Sequence, residues 1–439
     1  MPLTRAVLPL CMGLVLTTAT LAGPAADATI EHLYGGTVAA GLEALTPMAE
    51  GGDAEARFGL GMLRLVGTVE GFAQALYRHG LAAPRTGPLG PVLSIPLPEN
   101  PAPETLTYDG FRLMLEELVS GLDAAKADFI AAGEAGDYVV SIDPMRIRID
   151  VNGDGRADDA ETVAAVVGSV LGDPTLLVPP ESMPPLPEPV PGEPAEPKAA
   201  KGERDGRDAG PPSTVIGFDR ADAIWLAGYS NIFGLQAEFF LAHDFSNVFD
   251  AGFHRLFPRA GLPMQEYSRG GQLMLDPESD AAIADVVAVI HTLSWPVESP
   301  YRLRNVLARM QEITQLSRRN WEAILAETDD NNELLPSPSQ TGVAGREVTA
   351  QMIDAWHETL DTLDAILAGD LLLPHWRFRQ GIDLNAYFTT ATRTDLVMLL
   401  TGHDAVPYLK DGPIADPESF AAGNRVFGSD FLGFAAWFN

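Results

Sequence analysis

Between residues 150 and 161 the chain sets oxygen-bearing side chains at a spacing suited to metal chemistry: Asp150, Asn152, Asp154, Asp158 and Glu161, with Gly155 among them. A hard divalent cation takes six to eight oxygen ligands, so a short peptide holds one only by curving until its ligands converge. Glycine at position 155 permits a sharp turn that a side chain would obstruct.

The pattern, D-x-[DN]-x-[DN]-G-x5-E, resembles the calcium-binding loop of EF-hand proteins, and its opening Asp150-Val151-Asn152-Gly153-Asp154-Gly155 is also similar to a dockerin repeat. The resemblance covers these twelve residues and the helix that follows. It implies Ca²⁺ as the cofactor. Side-chain oxygens would come from Asp150, Asn152 and Asp154, and a backbone carbonyl from Arg156. Asp158 would act through a water, and Glu161 would close the shell with both carboxylate oxygens. A regular EF-hand has an entering helix. Here Val139-Val140 and then Met145 to Ile149 alternate with a period of two and follow Pro144, which favours a short strand. Val163, Val166, Val167 and Val170 then recur at helical spacing. The motif is therefore expected to be strand–loop–helix. No second loop of this kind is found, so the cohesin partner of dockerins is not carried over.

The elements that must position the loop belong to a chain of 439 residues with 46% hydrophobic content, enough for two domains with cores. Lys+Arg 29 against Asp+Glu 60 gives a net charge of −31, which repels nucleic acid and anionic membrane and favours cations. Arg5 and the apolar run from Ala6 to Leu16 are similar to a secretory signal peptide, with Ala26-Asp27-Ala28 as a cleavage site and Ala22 as the alternative. Residues 1–28 are accordingly expected to be removed and the mature protein to be periplasmic or secreted by a bacterium. The one cysteine, Cys11, falls in that segment, which leaves no disulfide or thiol chemistry. No later apolar run is long enough to span a bilayer.

Prolines crowd residues 174–213, where no core can form, so the segment is expected to link two helical domains at 29–173 and 214–439. In the first, residues 29–90 suggest a helical hairpin. Tyr108 to Ala132 then sets Phe111, Leu115, Leu118 and Leu122 on one helix face. In the second, a stripe of Leu241, Phe245, Val248, Phe249, Phe253 and Leu256 suggests a helix whose other face carries His243, Asn247, Asp250 and His254. One straight face spreads those four over about 16 Å, too far for one ion, and a polar outer face is the expected meaning. Further helices are expected over 280–293, 300–327 and 346–369. Trp295, Trp321, Trp356 and Trp376 are expected in the core, and the acidic run 327–333 as a solvated loop.

The expected fold class is thus mainly α, two helical domains joined by a proline-rich linker, with the calcium motif in the first. The expected function is an exported protein with one structural Ca²⁺ site. No Gly-x-Ser-x-Gly, His-Glu-x-x-His or phosphate-cradling loop is present. An enzyme of hydrolase type using His243, His254 or His403 is the first alternative, and a helical interaction scaffold with a protein partner is the second.

Overall fold

Short polar residues start the helices of this chain. Asp53, Thr107, Asp219, Asp276, Ser299 and Thr349 each precede a helix and accept a backbone N–H of its first turn through their own side chain. The computed structural model describes residues 23–82, 97–157, 161–163, 214–264, 275–343, 347–428 and 431–438. Among them the chain forms α1 (Pro24–Gly35), α2 (Val38–Glu50), α3 (Ala54–Arg78), α4 (Tyr108–Glu134), β1 (Val140–Ile142), β2 (Ile216–Phe218) and α5 (Arg220–Leu241). There follow α6 (Ser246–Gly252), α7 (Pro277–His291), β3 (Ser294–Pro296), α8 (Pro300–Ala326) and α9 (Ala350–Ala368). The rest comprises β4 (Gly381–Ile382), α10 (Leu384–Thr390), β5 (Arg393–Asp395), α11 (Leu396–Thr401), β6 (Leu409–Lys410), α12 (Ala421–Phe427) and α13 (Phe431–Phe438). The fold is mainly α. Its strands form three antiparallel two-stranded pairs, β1–β2, β3–β5 and β4–β6.

Four long helices stack in the order α3, α4, α5, α8, and α9 continues against α8 and α12. Their facing sides build one hydrophobic core that runs from Ala25 to Phe438. The segments on either side of the proline-rich stretch, expected as separate domains, share this core. Val140 of β1 pairs with Phe218 of β2. Phe58 of α3 meets both Phe129 of α4 and Phe218 of β2, with ring centroids 6.0 and 5.9 Å apart. Composition sets residues 174–213 apart as proline-rich. It carried no information on whether the flanking helices meet, because packing decides that. Residues 174–213 themselves lie outside the described residues.

A polar network crosses the same seam. Arg309 of α8 is buried and donates a two-pronged bond to Asp123 of α4, at 2.7 and 2.6 Å, and a third bond to Asn231 of α5 at 3.0 Å. Lys126 of α4 adds bonds to Asn231 (3.0 Å) and to Glu312 of α8 (2.8 Å). Burial works against the Arg309 charge, and the hydrogen bond and charge of Asp123 more than offset it, raising the guanidinium above its ordinary range. A buried cation with fewer partners would be strongly destabilising.

The stripe from Leu241 to Leu256 is not one helix. Helix α5 stops at Leu241 because Arg112 of α4 takes the carbonyls of Leu241 (3.1 Å) and His243 (2.8 Å) that a continuing helix would need. The chain turns through Asp244, whose carboxylate accepts the Ser246 N–H at 2.9 Å, and α6 starts afresh. His243, Asn247, Asp250 and His254 therefore share no helix face, and both histidines are buried rather than outward. Trp295, Trp321 and Trp356 are in the core, but Trp376 is 75% exposed, resting against Arg377 with its N–H on the carbonyl of Leu400. Proteolytic cleavage confined to residues 174–213 should leave the two fragments co-eluting under native conditions. Fragments that separate without denaturant would contradict the shared core.

Candidate metal loop and a buried carboxylate cluster

The loop at 150–157 is wound around the carboxylate of Asp150. Its Oδ1 accepts the N–H of Gly153 (2.7 Å) and Asp154 (3.2 Å), and its Oδ2 accepts the N–H of Gly155 (2.8 Å). Asn152 Oδ1 accepts the Asp154 N–H at 2.8 Å and Asp154 Oδ1 accepts the Arg156 N–H at 2.9 Å. Gly153 and Gly155 hold φ of +75° and +80°, the left-handed region that side chains disfavour. The side-chain oxygens at 150, 152 and 154 thus gather on the inside of one turn, and the Arg156 residue is exposed.

Antiparallel contacts close the loop. Ile149 N–H donates to the carbonyl of Glu161 (3.0 Å), Val163 N–H donates to that of Ile147 (3.0 Å), and Arg148 bridges Thr162. This brings Glu161 back beside Asp150, as the ligand pattern requires. Upstream, Asp143 caps a single 3-10 turn at Pro144–Arg146, so the expected strand is divided into β1 and the extended stretch at 147–149. Asp158 and the helix expected after Val163 lie outside the described residues.

Two residues of α3 join the site without any sequence signal, being some eighty positions away. Glu70 Oε2 accepts the Asp150 N–H at 2.8 Å, and Gln74 donates to the Asp150 carbonyl at 2.7 Å. Burial raises the Glu70 carboxyl above its ordinary value, against the lowering effect of the Asp150 N–H, and the negative charges of Asp150 and Glu161 raise it further. The oxygen-bearing residues gathered along this turn are Asp150, Asn152 and Asp154, with Glu161 returned by its backbone bond and Glu70 behind them. That set fits a hard cation and no soft one. Three N–H bonds occupy the Asp150 carboxylate, leaving about one of its four lone-pair directions for an ion.

A tighter convergence lies elsewhere. Among the described residues, Asp219, Glu327 and Glu333 alone bring three carboxylate oxygens within 4.8 Å of one another. The loop's own carboxylates stand wider, so an ion there would have to draw them together. The segment 327–333 is exposed at 328–331, as a solvated loop would be, but its end turns inward and Glu333 is 3% exposed. Its chain folds back through Glu333–Thr341 and Val343–Glu333 backbone bonds of 3.1 and 2.8 Å, and Asn332 reaches the carbonyl of Val215. The cluster sits on the first turn of α5, where Asp219 and Asp222 form a reciprocal cap. Burial first, and then the charge of Asp219, pushes Glu327 up to about 9, and burial pushes Glu333 up to about 7. Burial likewise raises Asp219 above its ordinary value, so the cluster favours retained protons over accumulated charge.

The histidines do not assemble. His243 Nδ1 lies 2.7 Å from the carbonyl of Phe239 and so carries the proton. Its Nε2 accepts from Thr394 (2.7 Å), which accepts from Tyr387 (2.7 Å). Burial lowers the His243 pKa, and the three side chains form a closed, buried pin between α5, β5 and α10. His254 pairs with Asp285 at 3.0 Å. His403 lies on the surface, 2.6 Å from an Asp404 that Arg393 also holds at 2.7 Å. An open cleft of about 620 Å³ is lined by Asp123, Lys126, Asn305, Arg309 and Glu312, and shares no residue with the loop or the histidines.

No family model matches the chain, and neither a curated protein nor a solved structure does.

The carboxylate cluster predicts a pH dependence. Glu327 and Glu333 both titrate above their ordinary 4.5 when folded, so the folded state holds extra protons. The stability they contribute is full below about pH 4.5 and is lost as pH rises through about 7 and then about 9. Glu327→Gln keeps a donor for Asp219 and cannot ionise. At pH 8 it should raise stability by about 1 kcal/mol in urea unfolding and flatten the loss between pH 5 and 9. An unchanged pH profile in the variant would remove Glu327 from this role.

Proposed function

We propose that the chain is an exported calcium-binding protein in which residues 150–161 hold one Ca²⁺ as a structural clasp. The observation that supports it is the loop itself. The backbone is already wound around Asp150, with left-handed glycines at 153 and 155 and Glu161 returned beside it. Asp150, Asn152, Asp154, Asp158 and Glu161 would supply side-chain oxygens and Arg156 its carbonyl. The ion would neutralise carboxylates that otherwise repel one another.

The clasp has definite things to hold. Arg148 N–H donates to the carbonyl of Leu33 at 3.1 Å, and Tyr34 OH accepts the Asp143 N–H at 2.7 Å, while Arg146 lies 4.2 Å over the Tyr34 ring. With Glu70 and Gln74, these contacts tie the loop to α1 and α3. A structural ion at this point would fix two helices of the shared core to the segment that follows β1. A calcium sensor would need paired helices able to open, which a single loop without an entering helix lacks.

Export rests on the apolar run at 6–16, which lies outside the described residues. The position of the cut can be refined. Ala26-Asp27-Ala28 falls inside α1, where Ala25 and Ala26 are fully buried and Glu55 accepts the N–H groups of Gly23 and Ala26, each at 3.1 Å. Cleavage after Ala22 preserves that turn and cleavage after Ala28 destroys it. Amino-terminal sequencing of the exported protein should therefore give Gly23, and a start at Thr29 would refute this. Among the described residues no helix is long and apolar enough to cross a membrane.

Calorimetric titration of Ca²⁺ into the metal-stripped protein should show one site, with a dissociation constant of about 10⁻⁴–10⁻³ M if it resembles extracellular modules. The Asp150→Ala, Glu161→Ala double variant should lose it. Glu70→Ala should weaken it about 10-fold, through the lost support of Asp150. Binding that persists in the double variant would move the site elsewhere, and the absence of binding would end the calcium reading. In hydrogen exchange, chelation should deprotect residues 140–157 and the facing part of α3 and leave α8 and α9 unchanged.

A further inference from the structure

Helix α7 is nearly all apolar between Ala281 and Ile290, yet none of its residues is buried. It meets the body of the protein along one side. Asp285 pairs with His254 and Arg255, Val289 lies against Gly252, and the carbonyl of Thr292 accepts from Trp295 at 2.9 Å. On the other side Ile283, Val286, Val287 and Ile290 are 49%, 60%, 48% and 48% exposed. At about 100° per residue these four fall within one arc of about 100°, with Asp285 and Val289 on the side turned away from it. Scattered exposed apolar residues are ordinary, but a continuous stripe of four on one helix marks a contact surface.

The order of the stripe says what fits it. Its spacing, Ile-x-x-Val-Val-x-x-Ile, is symmetric about the point between Val286 and Val287. A second copy of the same helix running antiparallel through a two-fold axis there would set Ile283 against Ile290 at both ends, with Val286 and Val287 each beside its own counterpart at the axis. Such self-complementarity is what an isologous interface requires. The flanks agree with it. Asp280 and His291 lie on the same side of the stripe near opposite ends of α7, and antiparallel pairing brings each close to the other residue of the second copy. A lipid surface fits poorly, because α7 carries Glu278, Asp280 and Asp285 and no Lys or Arg, in a chain of net charge −31.

We propose that α7 is a homodimer interface, with Ile283, Val286, Val287 and Ile290 packing antiparallel against the same residues of a second copy. It is independent of the calcium loop. The test uses the full exported chain with Cys11, if retained, replaced by Ser. Sedimentation velocity over a micromolar concentration series should show a reversible monomer–dimer equilibrium. Val286→Lys, an exposed position, should fold with an unchanged circular dichroism spectrum and raise the dissociation constant about 100-fold or more, because two ammonium groups would abut at the axis. Under mild oxidation Val286→Cys should form a covalent dimer. Ile283→Cys should not, since the two thiols would lie about 10 Å apart along the axis of an antiparallel pair. A wild-type chain that stays monomeric, a dimer that survives Val286→Lys, or equal cross-linking of the two cysteine variants would each overturn the proposal. Flotation with phosphatidylcholine vesicles in place of self-association would reassign the face to lipid.

Discussion

Placing the guanidinium of Arg309 out of water commits the neighbouring helices to one arrangement. A buried cation must be matched by fixed partners, and here they come from α4 through Asp123 and from α5 through Asn231, with Lys126 and Glu312 completing the ring. Those helices lie on opposite sides of the proline-rich segment, so the network sets their mutual register as well as their contact. Hydrophobic burial supplies most of the driving force, yet apolar surfaces slide past one another at small cost. A two-pronged Arg–carboxylate bond does not slide. The β1–β2 pairing, the Phe58–Phe129–Phe218 contacts and the place where Arg112 ends α5 all presuppose that register.

Against that frame the chain handles concentrated negative charge in two different ways. Around Asp150 the carboxylates lie along a turn near the surface, receive backbone N–H groups and stand well apart. Around Asp219 they are buried, sit closer together and retain protons instead. The difference follows from solvent access. Desolvation raises the cost of the charged form of a carboxylate until a proton is retained, and that cost falls on the inner cluster. The two acidic runs look similar in composition, and their environments give them opposite chemistry.

The histidines show how burial can close a reading. His243 has a hydroxyl partner and an oriented ring, the parts of a general-base system. However, all of its bonds are satisfied inside a core with Thr394 and Tyr387. It joins α5 to β5 and α10. His254 fastens α7 through Asp285, and α7 in turn presents its apolar stripe outward.

The sequence by itself determined the helical class, the starts of α4, α8 and α9 to within a few residues, and the turn-forming glycines and oxygen-bearing side chains of the loop. These are local matters. Helix periodicity, a capping side chain and a glycine at a left-handed position act over four to twelve residues, and a single chain segment carries all the information they need. Tertiary structure alone decided that the halves share a core, that Glu70 and Gln74 support Asp150, that Glu333 is buried, and that Trp376 is not. Each of these depends on atoms brought together from positions tens to hundreds of residues apart, where the outcome is set by which surfaces pack and which charges lose water. A window of sequence records neither.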